Sequence, residues 1–132
     1  MRLLLDTHVL LFWLGGGHRL SRRQARGVAS ASAEEPLLVS DISLWEIATL
    51  TNLGRIRLQR PLRAWLEAAV APPLVRRISL SPAVAAEVAE LPAAFHRDPA
   101  DRIIVASART VGATVVTMDQ RIIDSNLVET LV

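Results

Sequence analysis

Four carboxylates far apart along the chain, Asp6, Glu46, Asp101 and Asp119, are the residues whose placement could do chemistry. Asp6 ends an apolar run, residues 2–5, that reads as a buried strand. Asp119 stands two residues beyond a β-branched run over 113–117. Glu46 falls in the first or second turn of a helix expected over 42–53. Asp101 falls in the first turn of a helix that starts at Asp98 and Pro99 and runs to 111. Like charges this close cannot all stay ionised unless a cation neutralises them. Hard carboxylate oxygens, with neither histidine nor cysteine beside them, favour Mg²⁺ or Mn²⁺ over zinc. Such a site can activate water and stabilise an in-line phosphoryl transition state, which is the chemistry of metal-dependent nucleases.

The acids share one edge only if the chain alternates strand and helix, and it reads that way. Strands are expected over 2–5, 37–39, 74–78 and 113–117, with a further edge strand over 127–132. Between them lie helical stretches over 7–14, 21–32, 42–53, 61–70, 82–90 and 98–111. These are bounded by Gly15, Gly16 and Gly17, by Pro36, Gly54, Pro72 and Pro73, and by Gly112. No hairpin signal, repeat or linker appears. The expectation is one three-layer α/β/α domain spanning 1–132, with a central, mainly parallel sheet of four to five strands. Ligand sites in that architecture lie at the carboxyl ends of the strands, and right-handed crossovers start at the same rim.

Each acid also has a local explanation. Ser43-Leu44-Trp45-Glu46 fits a capping box, in which Glu46 merely bonds a backbone amide. Asp98-Pro99-Ala100-Asp101 fits a helix N-cap, a proline at N1 and an acid at N3. Asp119 could be an ordinary turn residue. Asp6, ending a buried strand, has no expected capping duty.

Composition removes several alternatives. The chain lacks cysteine, so disulfides, thiolate chemistry and cysteine zinc sites are excluded. All fifteen basic residues are arginine, which excludes a phosphate-loop or Schiff-base lysine. Residues 1–77 hold eleven arginines against six acids, a net of +5; residues 78–132 hold four against seven, a net of −3. A basic half beside an acidic half suits a phosphate-binding surface next to a cation-binding pocket, or simply an unevenly charged solvated surface. No apolar run is long enough to span a bilayer and no signal peptide is read, so the expectation is a soluble, cytoplasmic protein with no membrane partner.

The segments LLLDTHVLLFWL, SDISLWEIATL, HRDPADRIIVASA and ATVVTMDQRI resemble, in order and spacing, PIN-domain nucleases, specifically toxins of the VapC type. The resemblance covers nearly the whole chain. It implies a Mg²⁺- or Mn²⁺-dependent endoribonuclease using Asp6, Glu46, Asp101 and Asp119, with Asp6 and Asp101 as the most direct metal ligands. It also implies an RNA substrate, a cognate antitoxin and a homodimer. Thr117 matches a family hydroxyl position, and Asp98 would be an auxiliary acid or the helix cap, which local physics favours. Many relatives carry a lysine after the Trp-Glu-Ile-Ala stretch, where this chain has Thr49-Leu50-Thr51.

Two arginine clusters complete the reading. Arg19, Arg22, Arg23 and Arg26 have the spacing of one helical face, and Arg55, Arg57, Arg60 and Arg63 form a second group. Both suit RNA phosphates, a partner or plain solvation. His8, His18 and His96 share no metal-ligand spacing, and His8 reads as structural. Trp13, Trp45 and Trp65 fall in apolar helix patterns and read as core or interface. Two competing functions are a non-catalytic module that keeps the pocket, and a phosphatase with Asp6 as nucleophile. The phosphatase lacks its usual second aspartate, because His8 stands there, and it lacks a clamping lysine.

Overall fold

A computed structural model describes residues 1–132. Its strands are β1 (Leu3–Leu5), β2 (Leu37–Ser40), β3 (Val75–Ile78), β4 (Thr114–Val116) and β5 (Thr130–Leu131). Its helices are α1 (Thr7–Leu14), α2 (Arg22–Ala29), α3 (Asp41–Asn52), α4 (Leu62–Ala69), α5 (Pro82–Glu90), α6 (Pro99–Val111) and α7 (Gln120–Ser125). The five strands pair in the order β3-β2-β1-β4-β5, all parallel. This is the expected α/β architecture at the upper end of the strand count.

Alternation along the strands splits the core between the two faces of the sheet. Leu4, Leu38 and Val115 pack with Ile104, Val105, Val84 and Ile122 from α6, α5 and α7. Leu3, Leu5, Leu37, Val39 and Val116 pack with Val9, Leu10, Val28 and Ile47 from α1, α2 and α3. The central strands β1 and β2 are apolar at nearly every position because both faces are covered, whereas β3 at the sheet edge exposes Arg76 and Arg77.

Sequence punctuation places most element ends. Ser21 forms a capping box with Gln24, Ser81 caps α5 with proline following, and Gly112 leaves α6 in the left-handed region at φ 69°. Three details differ from expectation. The second helix stops at Ala29, and β5 pairs over only two residues. Helix α7, which follows Asp119 directly, is too short to show a helical apolar period.

Strand order reverses between β1 and β4: the chain moves from β1 outward through β2 to β3, then returns to the other side of β1. The crevice at the carboxyl ends of β1 and β4 is therefore the topological switch point, where open parallel sheets hold their ligands.

Candidate active site

Asp6 leaves β1 at that switch point and is 5% exposed. Its Oδ2 accepts a hydrogen bond from the Thr117 hydroxyl at 2.7 Å, and its Oδ1 accepts the Thr7 N–H at 2.7 Å. It is thus the N-cap of α1, so the expectation of no capping duty is corrected. Burial raises its carboxyl pKa, against the two hydrogen bonds, which lower it. Thr117 also accepts the Asp119 N–H at 3.0 Å, so one hydroxyl ties the ends of β1 and β4 together.

Glu46 lies in the second turn of α3, and its carboxyl is also raised by burial. The capping-box expectation fails here. Ser40 caps α3, and the Ser43 hydroxyl instead meets the Thr7 hydroxyl at 2.8 Å, joining α3 to α1. No backbone amide claims Glu46.

Asp98 is the cap of α6, as helix physics predicts, since its Oδ1 accepts the N–H groups of Ala100 at 2.9 Å and Asp101 at 3.2 Å. Asp101, 7% exposed, projects into the crevice. Burial, followed by the charges of Asp6, Asp98, Asp119 and Glu46, pushes its carboxyl up from 3.8 to about 8. Asp119 caps α7 and is held by Arg121, whose Nε and Nη2 reach its two oxygens at 3.2 and 3.0 Å. That arginine lowers the Asp119 carboxyl despite burial.

All four expected acids, with Asp98, His8, Phe12 and Arg121, line one cavity of about 460 Å³. The tightest convergence within this region is a different set: one ligand atom each from His96, Asp101 and Asp119 lie within 4.8 Å of one another. This donor set fits a divalent cation. Its carboxylates are mutually crowded, and burial followed by its neighbours' charges favours the neutral form of Asp101.

The family model of the PIN domain matches residues 3–125. Ribonuclease VapC22 of Mycobacterium tuberculosis (strain ATCC 25618 / H37Rv) is 38% identical over 119 residues, 90% of this chain and 88% of that protein. The chain belongs to the PIN-domain family. The solved structure of VapBC2 from Rickettsia felis, bound to a DNA fragment from their promoter, matches this PIN domain with a TM-score of 0.72 at 14% identity. The match covers 99% of this chain and 98% of that one. VapBC-1 from nontypeable Haemophilus influenzae matches with a TM-score of 0.70 at 15% identity, over 99% and 97% of the two chains. These likenesses establish the PIN fold.

The basic residues of this PIN domain regroup in space. Arg19 precedes α2 and stacks over Phe12, 5.2 Å from its ring centre, so it does not share a helical face with Arg22, Arg23 and Arg26. It joins Arg55, Arg57 and Arg60 around a second cavity of about 770 Å³, walled by Leu11, Ile56, Leu58 and Trp65. Arg23 and Arg26 border a separate hollow beside Glu35. His8 and Phe12 line both the arginine-rimmed cavity and the acidic one, so the two meet along α1. His8 is exposed there and is no buried structural histidine. Trp13 and Trp65 pack on the core, whereas Trp45 is 58% exposed.

Sequence reasoning missed His96 and Arg121. His96 has no histidine partner at ligand spacing, and its neighbour is an aspartate five residues on, across a loop and a helix start. The arginine's signal was its place two residues after Asp119, at the start of a helix too short to read.

Proposed function

We propose that this PIN domain is a metal-dependent endoribonuclease and the toxin of a toxin–antitoxin pair. The observation that carries the reading is the meeting of Asp6, Glu46, Asp101 and Asp119, from four separate segments, in one cavity at the switch point of the sheet. The ribonuclease named among its relatives supports the choice of RNA, and the VapBC structures support a cognate antitoxin.

We assign metal binding to these four acids, with Mg²⁺ or Mn²⁺ as the ion. Once bound, the cation supplies Lewis acidity toward water and the scissile phosphate. The chain's own residues set the stage. Thr117 and the Thr7 N–H fix both Asp6 oxygens, so one carboxylate is oriented before any ligand arrives. Asp98 holds the first turn of α6, and with it Asp101. Asp119 and Arg121 close the opposite wall as an ion pair. Arg19, Arg55, Arg57 and Arg60 offer forked donors along the adjoining cavity, suited to successive RNA phosphates or to acidic antitoxin side chains. The homodimer is proposed from the resemblance, with exposed Trp45 and Leu53 as apolar points on and beside α3.

Labelled structured RNA incubated with the purified protein and Mg²⁺ or Mn²⁺ tests the reading. Cleavage should occur, stop with EDTA, and fall at least about a hundredfold in Asp6→Asn and Asp101→Asn. Cleavage that survives EDTA, or variants as active as the parent, would overturn the metal pocket.

A further inference from the structure

The Nε2 atom of His96 is the sole buried side-chain nitrogen or oxygen in the chain without a hydrogen-bond partner. Yet it lies 3.1 Å from Asp101 Oδ2. The two facts are compatible only if the ring's in-plane nitrogen axis misses that oxygen. At this separation a donating N–H would normally be aimed at the carboxylate. A ligand nitrogen of the His96 ring also lies within 4.8 Å of a carboxylate oxygen of Asp119, in the same grouping as Asp101. A buried polar atom left unmatched costs free energy unless something absent from the protein satisfies it. Convergence of a nitrogen and two carboxylate oxygens on one space is what a cation requires.

The ring is also held from behind. His96 meets Phe95 edge-on at 4.7 Å between ring centres. Arg102, one residue past Asp101, donates to the carbonyls of Phe95 at 2.9 Å and His96 at 3.3 Å, and its guanidinium lies over the Phe95 ring. Helix α6 therefore carries Asp101 on one side of its first turns and clamps the His96 loop with the next residue. A fixed imidazole is the arrangement expected of a metal ligand rather than of a passing surface group.

We propose that His96 is a nitrogen ligand to the catalytic cation, beside Asp101 and Asp119, and that it tilts the site toward Mn²⁺ over Mg²⁺. Imidazole nitrogen is a poor ligand for Mg²⁺ and a better one for the transition ions. This inference rests on the metal-dependent reading above.

Pulsed electron paramagnetic resonance of the full chain loaded with Mn²⁺ tests it without reference to activity. The parent should show nitrogen coupling to the ion, and growth on ¹⁵N-histidine should change that coupling. His96→Gln should lose the histidine coupling while His8→Gln keeps it, which separates the two histidines near the site. Calorimetric titration should show the ratio of Mn²⁺ to Mg²⁺ affinity falling about tenfold or more in His96→Gln. His96→Phe, which keeps the packing against Phe95, should behave alike, and melting of both variants without metal confirms that they fold. If Mn²⁺ binds with no histidine coupling, or the ratio is unchanged in both variants, His96 is not a ligand and the acidic site stands alone. If the parent binds no Mn²⁺ at all, both this inference and the metal-dependent function fall.

Discussion

Replacing Asp101 with asparagine takes a negative charge out of a cavity that also holds Asp6, Glu46, Asp98 and Asp119, while preserving the shape of the side chain. In the folded chain the Asp101 carboxyl is pushed from 3.8 to about 8, first by burial and then by those neighbours. A pKa raised on folding means that the native state holds the proton more tightly than the unfolded chain. The associated stability is present below about pH 4 and is lost as pH rises through about 8. At roughly 1.4 kcal/mol per pH unit, the ceiling on that loss is about 5–6 kcal/mol. Water enters the cavity mouth and screens the neighbours, so about 2–3 kcal/mol is the working figure. For a domain of this size that is a difference on the order of 10 °C in Tm. Melting with EDTA across the pH range should show Asp101→Asn matching the parent in acid and exceeding it by that margin above about pH 8. Adding Mn²⁺ should then raise the parent far more than the variant, because the cation takes over the neutralising role. Parallel melting curves for the two proteins, within about 2 °C at every pH, would refute the electrostatic reasoning.

Thr117→Val removes the donor to Asp6 and the acceptor for the Asp119 N–H, so it should cost about 1–2 kcal/mol in chemical unfolding and reduce RNA cleavage more than that loss explains. Gln24→Leu strands the Thr117 carbonyl and leaves the Leu131 carbonyl only the Thr117 N–H at 3.4 Å, where the Gln24 amide now bridges both at 3.0 and 3.1 Å. It should cost about 2–3 kcal/mol, with amide exchange in β5 rising first. Arg121→Ala frees Asp119 from its guanidinium, so the Asp119 carboxyl should rise and calorimetry should show Mn²⁺ binding tightened several-fold. Weaker binding in that variant would mean that Arg121 helps to hold the cation site and does not compete for it.

The parallel sheet was legible in the sequence because burial on both faces leaves plain apolar runs, and the helix ends were legible from Ser21, Ser81, Asp98-Pro99 and Gly112. Asp6 was legible as a rim residue because it follows a strand, whereas Thr117 was read inside its strand and came forward only through the family resemblance. What stayed hidden depends on side chains meeting across elements. Ser43 looks like a cap when read along the chain, but it bonds Thr7 from another helix. Arg19 has the spacing of a helical face but stands outside the helix, over Phe12. His96 has a loop neighbour of no regular period, and its relation to Asp101 depends on a clamp made by Arg102. Periodicity reports one element at a time, so contacts between elements leave no mark in it.

The hydrogen bond between Asp6 and Thr117 spans 111 residues of chain. A ribosome delivers Asp6 and Glu46 early, while Thr117 and Asp119 emerge only near the end of synthesis, so the unfinished chain has half a site and no partner to orient it. A crevice that joins the first strand to the fourth cannot close until translation is almost complete. Chains abandoned before β4 lack Thr117 and Asp119, and with them the hydroxyl that holds Asp6 at the end of β1.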